Sequence, residues 1–537
     1  MSLVTKGLAA AWLATMPAAF QPAAAGDPPA VELGERRMDD LSAGERRFYA
    51  LPVAAGDFAR GTVTVRSGRA GIDLVTCEGR HLRRIASDTA GASDFLFVAE
   101  TGKPCLAIHA LSGPASVEVA LTRRVATGER AAPERAFLSP AMARLAASLA
   151  AGGGTEAVWT EREREGTPLV EPGSLPSTRI VTFLQRGATR NVLLFGAPGG
   201  DHDPLERLGT SDVWFRSYEL PSDTRLSYQL APDVPEIPGT ARERRVAILA
   251  TSQADPLNRH PWPEGAPDAF ARQSTLTLPG APEQPGLAPR PGVARGALRE
   301  IRIASAHLGN ERDVSVYLPP DFRPDDPRNL LLVVLDGRTY LSRVPTPRIL
   351  DALQAEGRLP PTVAVFVDSI DSATRGRELP GNPDFANFLA GELLPRIRAE
   401  TGLAPRPDRT ILAGSSFGGL AAATVPFLRP DAFGNAIALS GSFWWHPAGT
   451  EPSRSNHTAA TFAESARLPI RFFLSAGLFE RSSASHPDGI LETSRHLRDV
   501  LLAKGYSVSY REYASGHDYY VWRGVIADGL LALFGRP

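Results

Sequence analysis

A serine within a glycine-rich hexapeptide is the strongest chemical signal in the sequence. The segment Gly414-Ser415-Ser416-Phe417-Gly418-Gly419 follows the strand-like apolar run at 410–413. It matches the pattern G-x-S-x-G between a strand and a helix, where small residues permit a tight and strained turn. The middle residue, Ser416, then projects from the carboxyl edge of a sheet, whereas Ser415 points elsewhere. We therefore predict that Ser416 is a catalytic nucleophile.

A histidine near the C-terminus is the expected partner of this serine. A serine hydroxyl is a weak nucleophile unless a base accepts its proton. The chain has ten histidines, and His517 is the one that follows the last predicted strand, 508–513. Triads in such strand–helix folds run in the chain order serine, acid, histidine. We predict that His517 is the base; the alternative is a loop histidine that bonds a backbone carbonyl.

Two carboxylates compete for the role of the acid that orients the histidine. Glu480 follows the predicted strand 470–475, and Asp488 lies in the same loop. Either carboxylate could stabilise a positively charged imidazole, and Glu480 is favoured. Asp518 is disfavoured because neighbours in sequence seldom place their side chains for this contact.

Two backbone N–H groups are needed to stabilise the oxyanion that forms when an ester is attacked. The N–H of Phe417 is one candidate because of its place in the turn. The second is predicted at the end of an earlier apolar strand, from the N–H of Arg338 or Gly337. The alternative for the dipeptide Asp336-Gly337 is an ordinary turn.

The C-terminal block, residues 296–537, has the elements needed to position these groups. Apolar strand-like runs alternate there with helix-length segments such as 385–400 and 491–504. Continuous apolar strands separated by helices indicate a mostly parallel sheet covered on both faces. The predicted strands are 329–335, 362–368, 410–413, 435–439, 470–475 and 508–512.

Two β-rich blocks precede this region. Short runs of alternating or apolar residues punctuated by Gly, Ser and Asp predict β-sandwiches at 31–126 and 155–290. A helical segment at 139–151 separates the two blocks, and a proline-rich linker at 279–291 closes the second. The expected fold class is therefore α/β, with a C-terminal catalytic domain preceded by two β-sandwich domains.

Length and composition bound the remaining possibilities. The chain has 537 residues, of which 43% are hydrophobic, so several domains with real cores are expected. The formal net charge is -1, which gives no support for nucleic acid as the main partner. The two cysteines, Cys77 and Cys105, are too few for a cysteine-based metal cluster. We expect no metal cofactor.

The N-terminus predicts export. Lys6 precedes the apolar run 7–20, and three alanines end at residue 25, the order of a signal peptide over 1–25. The alternative is an uncleaved anchor, but the run is shorter than the roughly 20 residues of a membrane span. A periplasmic or secreted protein without stable membrane insertion is expected. In an oxidising compartment Cys77 and Cys105 would form a disulfide; the alternative is two free thiols.

Several motifs together resemble the enterochelin (enterobactin) esterase family. In the C-terminal block they are 334–338, 371–379, 388, 392–395, 414–419, 439–445, 476–480 and 516–518, and in the second block 166–171, 181–183, 212–214 and 255–258. The resemblance implies an α/β-hydrolase domain after an immunoglobulin-like N-terminal domain. It also implies hydrolysis of a catecholate trilactone siderophore, with Ser416, Glu480 and His517 at the triad positions. The first block resembles jelly-roll accessory domains.

A ferric tricatecholate substrate is an aromatic trianion, which suggests where it would bind. Arg338, Arg375 and Arg377 could supply positive charge, and Trp444 and Trp445 could stack on catechol rings. The alternatives are surface salt bridges for the arginines and simple packing for the tryptophans. Two other functions remain open: an exported carboxylesterase for other aromatic or acyl esters, and a binding protein with an inactive hydrolase domain.

Overall fold

The computed structural model describes residues 27–129, 136–199, 202–404, 406–450, 456–482 and 488–535. The predicted signal peptide, 1–25, lies outside these residues. The chain divides into two units, one before and one after the boundary between residues 135 and 136. Among the described residues, no helix combines the length and apolar character needed to cross a membrane.

The described residues of the first unit form eight antiparallel strands with apolar residues facing inward. Two four-stranded sheets have the orders β1-β8-β3-β6 and β2-β7-β4-β5, the arrangement of a jelly roll. Cys77 follows β4 and forms a disulfide with Cys105 in β7. The strands are β1 (Arg36–Leu41), β2 (Arg46–Ala50), β3 (Phe58–Ser67), β4 (Ala70–Thr76), β5 (His81–Thr89), β6 (Ala92–Val98), β7 (Pro104–Ala110) and β8 (Ala115–Val125).

The second unit begins with two helices and a β-sandwich that we call the second β domain. Its antiparallel sheets have the orders β12-β13-β10-β9 and β11-β14-β16-β15. The elements are α1 (Pro140–Ala150), α2 (Glu156–Glu165), β9 (Leu169–Pro172), β10 (Thr178–Arg186), β11 (Val192–Gly196), β12 (Glu206–Arg207), β13 (Val213–Pro221), β14 (Arg225–Pro232), α3 (Ala241–Thr251), β15 (Pro261–Trp262) and β16 (Gln273–Thr277).

The C-terminal part of the second unit contains an eight-stranded sheet with the order β17-β18-β20-β19-β21-β22-β23-β24. The strands are β17 (Ala297–Ser305), β18 (Asn310–Leu318), β19 (Leu330–Leu335), β20 (Thr362–Val367), β21 (Thr410–Ser415), β22 (Asn435–Leu439), β23 (Arg471–Gly477) and β24 (Ser507–Tyr513). β17 and β18 pair antiparallel, and the strands from β20 to β24 in this order pair parallel. The α/β-hydrolase fold class is confirmed.

Helices cover both faces of this sheet because its central strands are buried on both sides. They are α4 (Gly337–Ser342), α5 (Thr346–Ala355), α6 (Ser372–Glu378), α7 (Pro383–Asn387), α8 (Leu394–Thr401), α9 (Phe417–Leu428), α10 (His457–Glu464), α11 (Ile490–Ala503) and α12 (Tyr519–Phe534). A π-helical segment, Phe388–Leu393, joins α7 to α8, so the helix predicted at 385–400 forms with a local irregularity. Parallel strands of such a sheet place their carboxyl ends at one edge, where ligands bind.

Candidate active site

Ser416 lies between β21 and α9 in a backbone conformation that few residues adopt. Its φ is 61° and its ψ is -124°. A non-glycine residue in this region is strained, so the surrounding structure must hold it there. The Ser416 N–H donates to the carbonyl of Leu439 at 3.0 Å, and its carbonyl accepts from the N–H of Ser442 at 3.1 Å. Both contacts come from β22 and the loop after it, which fixes the turn from the neighbouring strand.

Close backbone contacts explain the glycines on either side of the serine. A Cβ on Gly414 would lie 2.6 Å from the carbonyl oxygen of Gly418, and one on Gly419 would lie 2.9 Å from the Cα of Gly441. Any side chain at these positions would therefore force the strand, the helix and the next loop apart. The predicted steric role of the small residues therefore holds at Gly414. At Gly418, the second glycine of the G-x-S-x-G pattern, an added Cβ would come no closer than 3.4 Å to a neighbour, so the second tight position is Gly419.

The imidazole of His517 is held between a carboxylate and an indole. Its Nδ1 lies 2.6 Å from Oε1 of Glu480, and its ring meets that of Trp522 edge to face at a centroid distance of 4.7 Å. The other oxygen of Glu480, Oε2, accepts from the N–H of Gly477 at 2.6 Å. A carboxylate at Nδ1 favours the tautomer whose Nε2 can accept a proton, and it stabilises the imidazolium that results.

The competing carboxylates occupy different places. Asp518 accepts hydrogen bonds from Ser227 and from the N–H of Tyr520. Burial raises the pKa of Asp518, and the donors around it oppose this shift. Asp488 lines the same pocket as His517, but Glu480 is the residue bonded to the imidazole. The geometry therefore favours Glu480 as the acid.

Ser416, His517 and Glu480 line one pocket of about 520 Å³. No hydrogen bond joins Ser416 to His517 within the part of the chain that the structure describes. Catalytic contacts of this kind often tighten only when substrate binds.

The pocket has an aromatic wall at Trp444, whose ring centroid lies 5.9 Å from that of Phe417.

The two predicted oxyanion donors differ in their placement. Phe417 is the first residue of α9, where an N–H has no acceptor within the helix. The N–H of Arg338 donates instead to Oδ1 of Asp368 at 3.3 Å. Gly337 packs over β20, where an added Cβ would lie 2.7 Å from the carbonyl carbon of Phe366. Because the N–H of Arg338 already donates to Asp368 and the N–H of Phe417 lies at the first turn of α9 next to Ser416, the geometry favours Phe417 as a donor.

The predicted arginine ligands do not reach the pocket either. Arg375 forms two hydrogen bonds of 2.7 Å to Asp336, and its guanidinium lies 5.8 Å from the ring centroid of Phe417. The Arg338 side chain pairs with Asp368 at 2.8 Å and is 76% exposed. The prediction of direct substrate binding by Arg338 and Arg375 is corrected: one is a surface ion pair, and the other supports the turn that carries Ser416.

Arg377 and Trp445 also have other partners. Arg377 donates to Oγ1 of Thr374 at 3.3 Å. Trp445 packs against the apolar core, and its ring lies edge to face with that of His457 at 6.2 Å. Of the two tryptophans predicted to bind substrate, only Trp444 lines the pocket.

The second β domain supplies a pocket wall that sequence reasoning missed. The rings of Phe195 and His202 stack at 4.7 Å with an interplanar angle of 6°. The Nη1 atom of Arg245 lies 2.9 Å from His202 Nε2, and its guanidinium is 5.2 Å from the centroid of Phe195. All three residues line the pocket that contains Ser416. They come from a different domain than the triad, so no local pattern marks them.

Three arginines bring positive charge to the pocket. Arg245, Arg343 and Arg481 line it. Two of its three carboxylates, Glu480 and Asp518, are engaged in hydrogen bonds to His517 and Ser227. The arrangement suits an anionic substrate with aromatic rings. Among the described residues, no group of three or more His, Cys, Asp or Glu side chains could hold a metal ion.

Comparison with known proteins gives a consistent result. Residues 180–287 match the family described as "Enterochelin esterase, N-terminal", and residues 305–533 match "Putative esterase". The chain is 33% identical over 426 residues to the iron(III) enterobactin esterase of Dickeya dadantii, which covers 70% of this chain and 92% of that protein. It is 32% identical over 403 residues to the iron(III) salmochelin esterase of Escherichia coli O6:H1, with coverages of 70% and 93%.

Solved structures agree with these sequence matches. The enterobactin esterase of Shigella flexneri, crystallised in the presence of enterobactin, is 29% identical and has a TM-score of 0.56, covering 71% of this chain and 98% of that one. The ferric enterobactin esterase of Salmonella typhimurium is also 29% identical, with a TM-score of 0.57 and coverages of 70% and 98%.

Replacing Glu480 tests which carboxylate serves the histidine. The substitution Glu480→Gln keeps the shape of the side chain but removes the charge at Nδ1 of His517, so kcat for a p-nitrophenyl ester should fall by about 10³–10⁴-fold. Asp488→Asn, in the same loop, is the matched control and should stay within about threefold of the wild type. The reverse ranking of the two variants would assign the acid to Asp488.

Proposed function

The chain belongs to the enterochelin esterase family, and we propose that it is a serine esterase that hydrolyses the ester bonds of a catecholate trilactone siderophore and thereby releases its iron. The observation that carries this proposal is the Glu480–His517 pair in one pocket with Ser416 at its strained turn. That arrangement is the machinery of acyl transfer, and the relatives named above are esterases of enterobactin and salmochelin.

The reaction follows from the roles of the three side chains. The Ser416 hydroxyl attacks a lactone carbonyl while Nε2 of His517 takes its proton, and Glu480 stabilises the imidazolium. The Phe417 N–H donates to the oxyanion. Collapse of the tetrahedral intermediate expels the alcohol of the lactone, which receives the proton from His517. Water then attacks the acyl group on Ser416 by the same route, and the linear product leaves.

The residues that line the pocket support a catecholate siderophore as the substrate. A ferric tricatecholate is a trianion whose rings present flat aromatic faces. Trp444 and Phe195 offer aromatic surfaces near the triad, and Arg245, Arg343 and Arg481 supply positive charge. Guanidinium groups both pair with anionic oxygens and stack on rings.

Product analysis tests this proposal. Incubation with enterobactin, apo and ferric side by side, should yield the linear trimer, dimer and monomer on reversed-phase chromatography. Ser416→Ala should abolish the products, because the acyl-enzyme cannot form. Hydrolysis of p-nitrophenyl esters with the trilactone left intact would favour a carboxylesterase for other aryl or acyl esters. Equal activity in Ser416→Ala would refute the mechanism.

Charge recognition gives a second test. Arg245→Gln and Arg343→Gln should each raise KM for ferric enterobactin about tenfold, since a hydrogen bond to a charged group contributes about 1.5 kcal/mol. KM for a neutral p-nitrophenyl ester should not change. Arg377→Gln is the control, because Arg377 lies outside the pocket lining. An equal rise for both substrates would indicate lost packing and would contradict a role for charge.

We also propose that the protein is exported. The order of charged, apolar and small residues over 1–25 supports a cleaved signal peptide, and the disulfide between Cys77 and Cys105 suits an oxidising compartment. Mass spectrometry of the protein from a periplasmic or medium fraction should find Gly26 as the N-terminus. An intact N-terminus in a membrane fraction would indicate an uncleaved anchor.

A further inference from the structure

The segment that carries His517 is held by the second β domain through a buried carboxylate. Asp518 follows His517 directly and is 7% exposed. Its Oδ1 accepts from the Ser227 hydroxyl at 2.8 Å and from the N–H of Tyr520 at 2.8 Å. Its Oδ2 accepts from the N–H of Ser227. Ser227 lies in β14, so two of the three donors come from the other domain.

Further contacts fix the backbone on both sides of His517. The N–H of Arg225, at the start of β14, donates to the carbonyl of Ala514 at 3.0 Å. Gly516 lies so close to the second β domain that an added Cβ would be 2.6 Å from the Cβ of Ala197. The hydroxyls of Thr277 and Tyr520 are 3.1 Å apart. The second β domain therefore contacts residues 514–520, which we call the histidine segment, at four positions: Ala514, Gly516, Asp518 and Tyr520.

The loop that carries the acid touches the same surface. Phe479 precedes Glu480 and packs against the apolar core of the second β domain. Its N–H donates to the carbonyl of Ser515 at 3.0 Å, which ties the acid loop to the histidine segment. Both partners of Ser416 thus depend on contacts made outside the hydrolase sheet.

A buried carboxylate is stable only if its hydrogen bonds are satisfied. Without the Ser227 hydroxyl, Oδ1 of Asp518 would keep only the N–H of Tyr520, while Oδ2 would still accept from the N–H of Ser227. The desolvation of the carboxylate would then be only partly compensated. The Gln273 side chain, whose Oε1 lies 3.1 Å from the Ser227 hydroxyl, also lies at this junction. Movement of Asp518 toward water would displace the adjacent imidazole, and an error of about 1 Å in such a group can cost about 10²-fold in rate.

We propose that Ser227 and Asp518 are positioning residues for His517, and that the second β domain is a working part of the esterase site. The role rests on the proposed function, since it requires His517 to be the base. Ser227 contributes from β14, 291 residues away from Asp518 in the chain. The second β domain then has two roles. It forms one wall of the pocket with Phe195, His202 and Arg245, and it holds His517 in place relative to Ser416.

Kinetics of the full-length chain test the proposal. Ser227→Ala should lower kcat for p-nitrophenyl butyrate about tenfold with KM unchanged, and Asp518→Asn about 10²-fold, because an amide N–H₂ would face a donor N–H. Ser227→Thr keeps the hydroxyl and should restore most of the rate. Ser274→Ala is the matched control: it removes another buried hydroxyl of the second β domain, one that accepts from the N–H of Asp255 at 2.8 Å. It should lower thermal stability but not kcat.

Hydrogen–deuterium exchange gives a readout that does not depend on activity. Amides of residues 513–520 should exchange faster in Ser227→Ala than in the wild type, and at the wild-type rate in Ser274→Ala. Unchanged exchange and unchanged kcat in Ser227→Ala would overturn the proposal. A wild type that lacks esterase activity would instead refute the proposed function, and the exchange result would still show whether Ser227 orders the histidine segment.

Discussion

The strained backbone at Ser416 is the constraint on which the catalytic half of the structure depends. A serine with φ of 61° persists only if its surroundings leave no relaxed alternative. The hydrogen bond that its N–H donates to the carbonyl of Leu439, and the one that its carbonyl accepts from the N–H of Ser442, hold it on one side. The ion pair between Arg375 and Asp336 lies behind the turn, at the carboxyl edge of β19. The central strands, the glycines and this partly buried ion pair together hold the turn that presents the Ser416 hydroxyl to the pocket.

Two domains build the candidate active site, although all three residues of the proposed triad come from the C-terminal one. The hydrolase sheet carries Ser416, Glu480 and His517, but the second β domain contacts the segments bearing the last two and builds the opposite wall of the pocket. Residues 136–537 accordingly form one unit. The jelly roll of the first unit has its own core and its own disulfide, far along the chain from the catalytic residues.

Much of the fold was predictable because its strongest signals are local. Central strands such as β19 and β20 are apolar throughout, since both faces are buried, and this pattern is visible in the sequence. In the first unit, β1 and β5 carry a weaker signal: they are rich in charged residues, and most of their side chains are exposed or half-buried. A strand of that kind is specified by its neighbours and carries little periodicity of its own.

The sequence alone was enough to single out Ser416, His517 and Glu480 as candidates for nucleophile, base and acid, because each stands at a fixed place relative to a strand and chain order suggests the roles. Which charges line the pocket follows only from the packing of the domains. Arg375 has a partner in Asp336, 39 residues away, while Arg245 reaches the pocket from another domain. It also revealed that Asp518 serves as a buried anchor to Ser227. The physical reason is the same in each case: a contact between distant segments depends on how the domains pack, and no spacing along the chain encodes it.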